Sequence, residues 1–239
     1  MLVEDKKRIL IIGDSTLMWV RPYRQNKEDL TYIELLIKQK YLLDINAKPG
    51  MTSSEALKFY WNNEMATFND IYIISVGIND LTPRSYPRWL WKMNNDIVFP
   101  NSYFDKFIKF FYRVITYTKF QTICSKFGIS RAWVSKNNFR KNLQKLQELI
   151  IKESNSRIIF LSLPTVTERV KNILPGIEKN VIEYKEVLKD LKNSRTTILD
   201  IDRLFREDIE KYNPEGIHYS ADGHKKVFEE LIRIIEMEQ

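Results

Sequence analysis

The chain has 239 residues, 44% of them hydrophobic and 29% charged, which is enough for one large domain with a sizeable core and excludes a disordered or fibrous protein. Cys124 is the only cysteine, so neither an internal disulfide nor a thiolate metal cluster can form within one chain. The net charge of +7 favours anionic partners such as acidic glycans, phospholipid headgroups or nucleic acid. No apolar run is long enough to span a bilayer, and the charged residues before Arg8 do not form a signal-peptide core, so we expect a cytoplasmic protein.

Strand patterns alternate with helix patterns along most of the chain. The first strand begins at Arg8 with an unbroken aliphatic run, which is typical of a strand buried on both faces. In chain order the further predicted elements are a helix at 29–37, a strand at 41–46, a helix at 52–63, a strand at 71–76, a helix at 138–153, a strand at 157–163, a helix at 177–191, a strand at 196–201 and a helix at 221–235. This alternation predicts a single α/β domain over 1–239 with a parallel sheet covered on both faces.

The segment 81–136 interrupts the alternation. It is rich in aromatic and basic residues, and between Arg84 and Phe139 its only acids are Asp96 and Asp105. Several of its apolar residues share one helical face, namely Phe104, Phe107, Ile108, Phe111 and Ile115. We predict a helical insertion that lies over the carboxyl edge of the sheet as a lid or binding wall. The alternative is that its aromatic side chains extend the core.

Three sharp breaks in the chain follow predicted strands, at 13–15, at 49–52 and at 77–80. The carboxyl ends of parallel strands meet at one edge of a sheet and bind ligands there, so Ser15 is a candidate nucleophile. The backbone N–H groups of Ser15 and Gly50 and the side-chain amide of Asn79 are candidate donors to the oxyanion that such an attack creates. The alternative is that Asp14 or Ser15 only caps a following helix.

The candidate general base comes from the two histidines of the chain. His218 lies in a loop before the last predicted helix, where a side chain can point into a cleft. His224 falls in the first turn of that helix, and we expect it to cap or pack. Glu215 precedes His218 by three positions, close enough in sequence to orient the imidazole.

Together these residues resemble the SGNH (GDSL-type) hydrolase superfamily. The resemblance rests on Gly-Asp-Ser at 13–15, Gly50 followed by Met-Thr, Gly-Ile-Asn-Asp at 77–80 and Glu-x-x-His at 215–218. It covers nearly the whole chain apart from the insertion. It implies a three-layer flavodoxin-like fold with a five-stranded parallel sheet.

By the same resemblance Ser15 is the nucleophile, His218 the general base, and Ser15, Gly50 and Asn79 the oxyanion hole. The chain departs from the family pattern at two positions. Thr16 stands where leucine is usual, and Glu215 stands where the family has aspartate. No metal or other cofactor is expected, since the chain has two histidines and neither a Walker loop nor a Gly-x-Gly-x-x-Gly motif.

The resemblance implies a serine esterase, and we expect it to remove a small acyl group, an acetyl group first of all, from a carbohydrate or polysaccharide. Carbohydrate is favoured because aromatic rings of the insertion can stack on sugar rings and its cations can meet an acidic glycan. The residues assigned to substrate binding are Asp14, Arg84, Arg88, Trp89 and Trp91, with Tyr86, Lys92 and Tyr103 beside them.

Three alternatives stay open. The first is a lysophospholipase or thioesterase in transient contact with a membrane surface, which the basic aromatic segment also suits. The second is a sugar O-acyltransferase, whose first half-reaction is identical. The third is a catalytically degenerate binding protein. Nucleic acid is not an expected partner, because the basic stretch carries no recognisable nucleic-acid motif.

Overall fold

The computed structural model of the protein describes residues 6–236. Most of the charged amino-terminal segment considered above falls at 1–5, outside the described residues. Within 6–236 no helix combines the length and the apolar composition needed to cross a membrane.

Five parallel strands form the sheet at the centre of the molecule. They are β1 Arg8–Gly13, β2 Leu42–Ala47, β3 Ile71–Ser75, β4 Arg157–Leu161 and β5 Thr196–Leu199, in the spatial order β2-β1-β3-β4-β5. Gly13, the last residue of β1, pairs with Ser75, the last residue of β3, so the loops that follow both strands leave from the same edge. The predicted α/β fold with a five-stranded parallel sheet is confirmed.

Helices connect the strands and cover both faces. Those described are α1 Tyr32–Ile37, α2 Ser53–Trp61, α3 Ile78–Leu81, α4 Arg88–Asp96, α5 Tyr103–Thr116, α6 Thr118–Lys126, α7 Lys136–Glu153, α8 Glu168–Ile173, α9 Ile177–Asp190, α10 Ile201–Phe205, α11 Ile209–Tyr212 and α12 Ala221–Glu236. Short 3₁₀ helices span Ser15–Leu17 and Glu64–Thr67.

The unbroken aliphatic run of β1 serves two cores. Leu10 and Ile12 pack in a core with residues of α2, α7 and α9, whereas Ile9 and Ile11 pack in a second core with residues of α1, α10 and α12. Successive side chains of a strand point to opposite faces, so a strand between two helical layers needs apolar residues at every position.

The predicted elements are found with shifted ends, and the shortest helices were missed. The strand predicted at 196–201 ends at Leu199, because the Asp200 side chain accepts hydrogen bonds from the backbone N–H groups of Asp202 and Arg203 and so caps α10. Helices α3, α8, α10 and α11 have four to six residues, which is too short for an apolar periodicity to develop.

The insertion is helical, as predicted, and consists of α4, α5 and α6. It has a small core of its own, formed by Tyr86, Leu90, Ile108 and Ile115. Of its aromatic side chains, Tyr86 is buried in that core, whereas the four phenylalanines of α5 are exposed. The lid or binding wall over the carboxyl edge stays a prediction.

Candidate active site

Ser15 lies at the carboxyl edge of the sheet, immediately after β1. The Asp14 carboxylate accepts a hydrogen bond of 2.9 Å from the Thr16 backbone N–H and caps the 3₁₀ helix that begins at Ser15. A side chain at Gly13 would place Cβ 2.6 Å from the carbonyl oxygen of Ser75, so only glycine allows the chain to turn so tightly against β3. The capping alternative therefore holds for Asp14, and it leaves the Ser15 hydroxyl free to face the cavity described below.

The loop between α11 and α12 brings His218 to Ser15. The Ser15 Oγ and His218 Nε2 atoms are 3.0 Å apart, within hydrogen-bonding distance. The imidazole packs on the Trp19 ring, with 5.1 Å between ring centroids. Burial lowers the pKa of His218, and the Glu215 carboxylate partly offsets this by favouring the imidazolium. A neutral imidazole beside a hydroxyl is the arrangement that a general base requires.

Glu215 contacts the other nitrogen of the same imidazole, but it is shared with a cation. Its Oε2 atom lies 3.4 Å from His218 Nδ1 and 3.2 Å from Arg21 Nε. The Arg21 guanidinium in turn lies over the rings of Trp19 and Tyr23, at 5.1 and 4.0 Å from their centroids. This role of Arg21 could not be predicted from the sequence, because the contact forms only when the loops after β1 and α11 meet.

Asn79 lies in α3, which begins directly after β3. Its Nδ2 donates to Asp14 Oδ2 at 2.9 Å, and its Oδ1 accepts from Arg84 Nη2 at 3.2 Å. An acceptor on one side and a cation on the other fix which way the amide points. The second amide hydrogen makes only a long contact of 3.4 Å with the Met51 carbonyl, so it is the one that can turn towards a ligand.

Gly50 completes the set of candidate oxyanion donors. It has φ of +73°, and a Cβ there would lie 2.4 Å from the Trp91 ring. Both the backbone conformation and the packing therefore require glycine. Within residues 6–236 the backbone N–H groups of Ser15 and Gly50 donate to no protein acceptor. Two free donors thus face the same region as the Asn79 amide.

A cavity of about 340 Å³ joins these groups. Its walls include the aromatic rings of Trp19 and Trp91, and α5 and α6 contribute Thr116 and Gln121. The full lining is Ser15, Trp19, Pro49, Gly50, Ile78, Asn79, Thr82, Arg84, Trp91, Thr116, Gln121, Ile173, Leu174, Ile217 and His218. The sequence-predicted nucleophile, base and oxyanion donors therefore share one cavity.

The residues assigned to substrate binding divide into two groups. Arg84 and Trp91 line the cavity, whereas Asp14, Arg88 and Trp89 do not. Asp14 is buried beneath Ser15, and Trp89 is 59% exposed because it lies on the outer side of α4, away from the cavity. Fewer of the tryptophans and arginines of the insertion therefore line the cavity than we predicted from the sequence.

Arg88 instead supports the loop that carries Gly50. Its guanidinium donates to Thr52 Oγ1 at 2.6 Å and to the Gly50 carbonyl at 3.0 Å, and it is ion-paired with Glu55 of α2. Lys92 also pairs with Glu55, at 3.4 Å. Since Arg88 and Trp91 both come from α4, the insertion is what holds the Gly50 loop in place.

Two carboxyl groups behind the site are buried. Burial raises the pKa of Asp14 to about 6 and the pKa of Asp80 to about 7. Asp80 accepts hydrogen bonds from the backbone N–H and the hydroxyl of Ser53, which ties α3 to the start of α2. Both carboxyls are buried and hydrogen-bonded within the fold, and neither lines the cavity of Ser15.

The other histidine is packed into the fold. His224 is fully buried; its Nδ1 accepts from the Tyr32 backbone N–H at 3.3 Å, and its Nε2 donates to the Trp19 carbonyl at 3.1 Å. Burial lowers the pKa of His224 to about 4. The expected packing role is confirmed. Over the described range 6–236, no three His, Cys, Asp or Glu side chains gather in a group that could hold a metal.

Solved structures of bacterial lipases and esterases share this fold. The chain superimposes on a lipase/acylhydrolase from Enterococcus faecalis with a TM-score of 0.60 at 15% identity, covering 96% of this chain and 95% of that one. For a GDSL-like lipase from Bacteroides thetaiotaomicron the TM-score is 0.60 at 13% identity, with 99% and 91% covered. For an acetylxylan esterase from Geobacillus stearothermophilus it is 0.59 at 15% identity, with 96% and 94% covered. No protein-family model and no curated protein sequence matches the chain.

The fold is therefore the one that these GDSL-type lipases and esterases have, as the sequence motifs implied. The acetylxylan esterase has been solved as catalytic variants in which a serine, an aspartate or a histidine is replaced by alanine. Its aspartate and histidine are three positions apart in its chain.

Proposed function

We propose that this chain is a serine ester hydrolase of the SGNH superfamily, with Ser15 as the nucleophile. The observation that carries the proposal is the chain of contacts from Ser15 Oγ to His218 Nε2 at 3.0 Å and from His218 Nδ1 to Glu215 at 3.4 Å, at a cavity with unpaired donors. Acyl transfer to serine requires a hydroxyl next to a neutral imidazole, with a carboxylate on the far side of the imidazole.

In the proposed mechanism the Ser15 Oγ attacks the carbonyl carbon of the ester while its proton passes to His218 Nε2. The negative oxygen of the tetrahedral intermediate is bound by the Ser15 and Gly50 N–H groups and by the Asn79 amide. The imidazolium then gives its proton to the leaving alcohol, and an acyl-enzyme remains. Water, activated by the same imidazole, attacks the acyl group and releases the acid and free Ser15.

Glu215 takes the place of the usual aspartate in this proposal. The spacing of three positions before the histidine matches that of the aspartate and histidine changed in the catalytic variants of the acetylxylan esterase. The contact of 3.4 Å is long for a hydrogen bond, and Arg21 competes for the same oxygen. Glu215 therefore orients the imidazole more weakly than a carboxylate that makes a short hydrogen bond to the imidazole and has no competing cation.

We infer that the substrate is a short acyl ester of a carbohydrate, with acetyl the first candidate. The Trp19 and Trp91 rings offer stacking surfaces at the cavity, and an acetylxylan esterase is among the structural neighbours. The acidic-glycan part of the expectation has less support, because Arg88 and Lys92 are already paired with Glu55. A neutral acetylated glycan fits these contacts better.

The test compares three esters: an acetylated xylo-oligosaccharide, an aryl acetate and a lysophospholipid. We expect acetate release from the first two, lost in Ser15→Ala, and a kcat/KM for the lysophospholipid lower by about tenfold or more. Preferential release of long fatty acids would overturn the carbohydrate assignment but not the serine mechanism. Faster turnover with an added glycan, together with an acylated product, would show transfer in place of hydrolysis.

One observation favours the lysophospholipase alternative. The outer face of α5 exposes a row of aromatic side chains, and the last residue of α5, Thr116, lines the cavity. The lysophospholipid arm of the experiment tests this alternative directly.

A further inference from the structure

The outer side of α5 is covered by large apolar side chains that are open to solvent. We call this set the α5 apolar face; its side chains are between 43% and 93% exposed. It consists of Tyr103, Phe104, Phe107, Phe110, Phe111 and Val114. Phe107 and Phe111 stack on one another with their planes 10° apart, so these two neighbouring rings of the face lie parallel.

The helix is apolar on two sides. At 3.6 residues per turn the α5 apolar face occupies an arc of roughly 120°, next to the arc of Ile108 and Ile115, which pack in the core of the insertion. Soluble proteins rarely expose an apolar surface of this kind unless it binds a partner.

Exposed apolar side chains continue on both sides of the helix. Val98 and Phe99 precede α5 with 73% and 78% of their surfaces exposed. After α5 the exposed apolar residues are Tyr117, Phe120, Ile123, Phe127 and Ile129. Exposed apolar side chains are therefore frequent along 98–129, beyond the α5 apolar face itself.

The charge around this surface has one sign. Between 98 and 131 the chain has six cations, Lys106, Lys109, Arg113, Lys119, Lys126 and Arg131, and one acid, Asp105. Asp105 accepts from the Ser102 backbone N–H at the start of α5. In the described part of the chain none of the six cations forms a salt bridge with a carboxylate.

Exposed apolar side chains surrounded by positive charge indicate which kind of partner this surface binds. A second copy of the chain would bring the same positive charge against itself, which opposes self-association. A bilayer with anionic headgroups offers phosphate oxygens to the cations and an interface in which aromatic rings are stable. We propose that the α5 apolar face docks on an anionic lipid surface, with α5 lying in the plane of the interface.

The docking surface adjoins the cavity of Ser15. Thr116 at the end of α5 and Gln121 in α6 both line that cavity. A docked molecule therefore holds the cavity close to the lipid headgroups. Binding itself depends only on the surface, so it is independent of the proposed hydrolysis.

The experiment is flotation of the full chain with vesicles of phosphatidylcholine alone or with about 30% phosphatidylserine added. We expect wild type and Ser15→Ala to float equally with the anionic vesicles and to float far less with phosphatidylcholine alone. Binding should weaken as salt is raised. Ser15→Ala separates the two proposals, because an inactive protein that still floats leaves the docking inference intact.

Two variants test the surface itself. Phe107→Ser with Phe110→Ser removes apolar area, and Lys106→Glu with Arg113→Glu reverses charge; each should weaken binding about tenfold or more. The matched control is Trp61→Ser with Phe68→Ser, which are exposed by 65% and 61% outside the insertion and should leave binding unchanged. Circular dichroism melting verifies that all variants fold.

Two results would overturn the inference. One is the absence of binding to anionic vesicles by wild type, or binding that the surface variants do not weaken. The other is a wild-type dimer in size-exclusion chromatography that Phe107→Ser with Phe110→Ser converts to monomer without any vesicle binding. That outcome would make a second copy the occupant of the α5 apolar face.

Discussion

At the scale of single residues, the pKa of the proposed base, His218, depends on two opposite charges, Glu215 and Arg21, which are ion-paired with each other. Glu215 favours the imidazolium form of His218, and Arg21 opposes it, while both lie within reach of each other. His218 acts as a base only when it is neutral, so each charge shifts the acid limb of the pH profile of kcat/KM.

Replacing Glu215 by glutamine removes the carboxylate that raises the pKa of His218. We expect the acid limb of kcat/KM to move to lower pH and its plateau to fall by about tenfold, because the imidazole loses its orienting partner. Hydrolysis of an aryl acetate measured between about pH 4 and pH 9 tests this. An unaltered plateau would remove Glu215 from the mechanism.

Replacing Arg21 by glutamine should shift the same limb in the opposite direction. Loss of the cation raises the pKa of His218, so a higher pH is needed to make the base neutral. The pH profiles of the two variants are compared on the same substrate. Shifts in the same direction would show that general disturbance of the loop, and not charge, controls His218.

The buried carboxyl of Asp80 makes a prediction about stability. Its pKa rises from an ordinary 3.8 to about 7 on folding, so the folded state holds a proton that the unfolded state releases. The contribution of Asp80 to the free energy of unfolding should therefore fall as pH rises from about 4 to 7, by about 1.4 kcal/mol for each unit between the two pKa values.

Asp80→Asn is the variant that tests the carboxyl. It should flatten this dependence, measured by urea unfolding at several pH values. Asp14, whose pKa is also raised, contributes in the same direction, whereas His224, whose pKa burial lowers to about 4, contributes in the opposite direction, so the slope of the variant is compared with that of wild type. A slope identical to that of wild type would mean that Asp80 does not titrate in this range.

The residues that belong to a sequence motif could be located from the sequence. The contacts by which Arg21 and Arg88 position the site could not. Ser15, Gly50, Asn79 and His218 each follow a strand or precede a helix in a recognisable pattern. The contact from Arg88 to the Gly50 carbonyl joins residues 38 positions apart. No local pattern marks such a pair, because it exists only once α4 is folded against α2.

At the scale of elements, the insertion shows why periodicity alone does not reveal which face is buried. The pattern placed Phe104, Phe107 and Phe111 together with Ile108 and Ile115, and the helix was predicted correctly. The structure buries the two isoleucines and exposes the three phenylalanines. The apolar arc is wider than a core-facing helix needs, so its outer half is left for another surface.

The two tryptophans of α4 give an element-scale prediction. Trp91 lines the cavity and packs on Gly50, whereas Trp89 is on the outer side of the same helix. Trp91→Ala should lower kcat/KM for an aryl acetate by about tenfold, since the Gly50 loop loses its support. Trp89→Ala is the matched control and should keep wild-type rates. Equal losses would mean that both substitutions act through the stability of α4.

At the scale of the whole molecule, the alternation of strands and helices was sufficient to predict the sheet. Three motifs that follow different strands meet because the strands are parallel and end at one edge. The shape of the cavity could not be predicted from the sequence, because its lining comes from the loops after β1, β2 and β3, from the insertion, from the end of α8 and from the segment before α12.

Every step of the proposed hydrolysis depends on Ser15 being an activated nucleophile. The most direct measurement is labelling of the purified protein by a fluorophosphonate probe, followed by identification of the modified peptide. Wild type should be labelled on Ser15, and Ser15→Ala should not be labelled. Ser162→Ala is the control, because Ser162 also follows a strand but only accepts from the Ile201 N–H; this variant should label like wild type. A wild-type protein that does not react, or that reacts at another residue, would show that Ser15 is not an activated nucleophile.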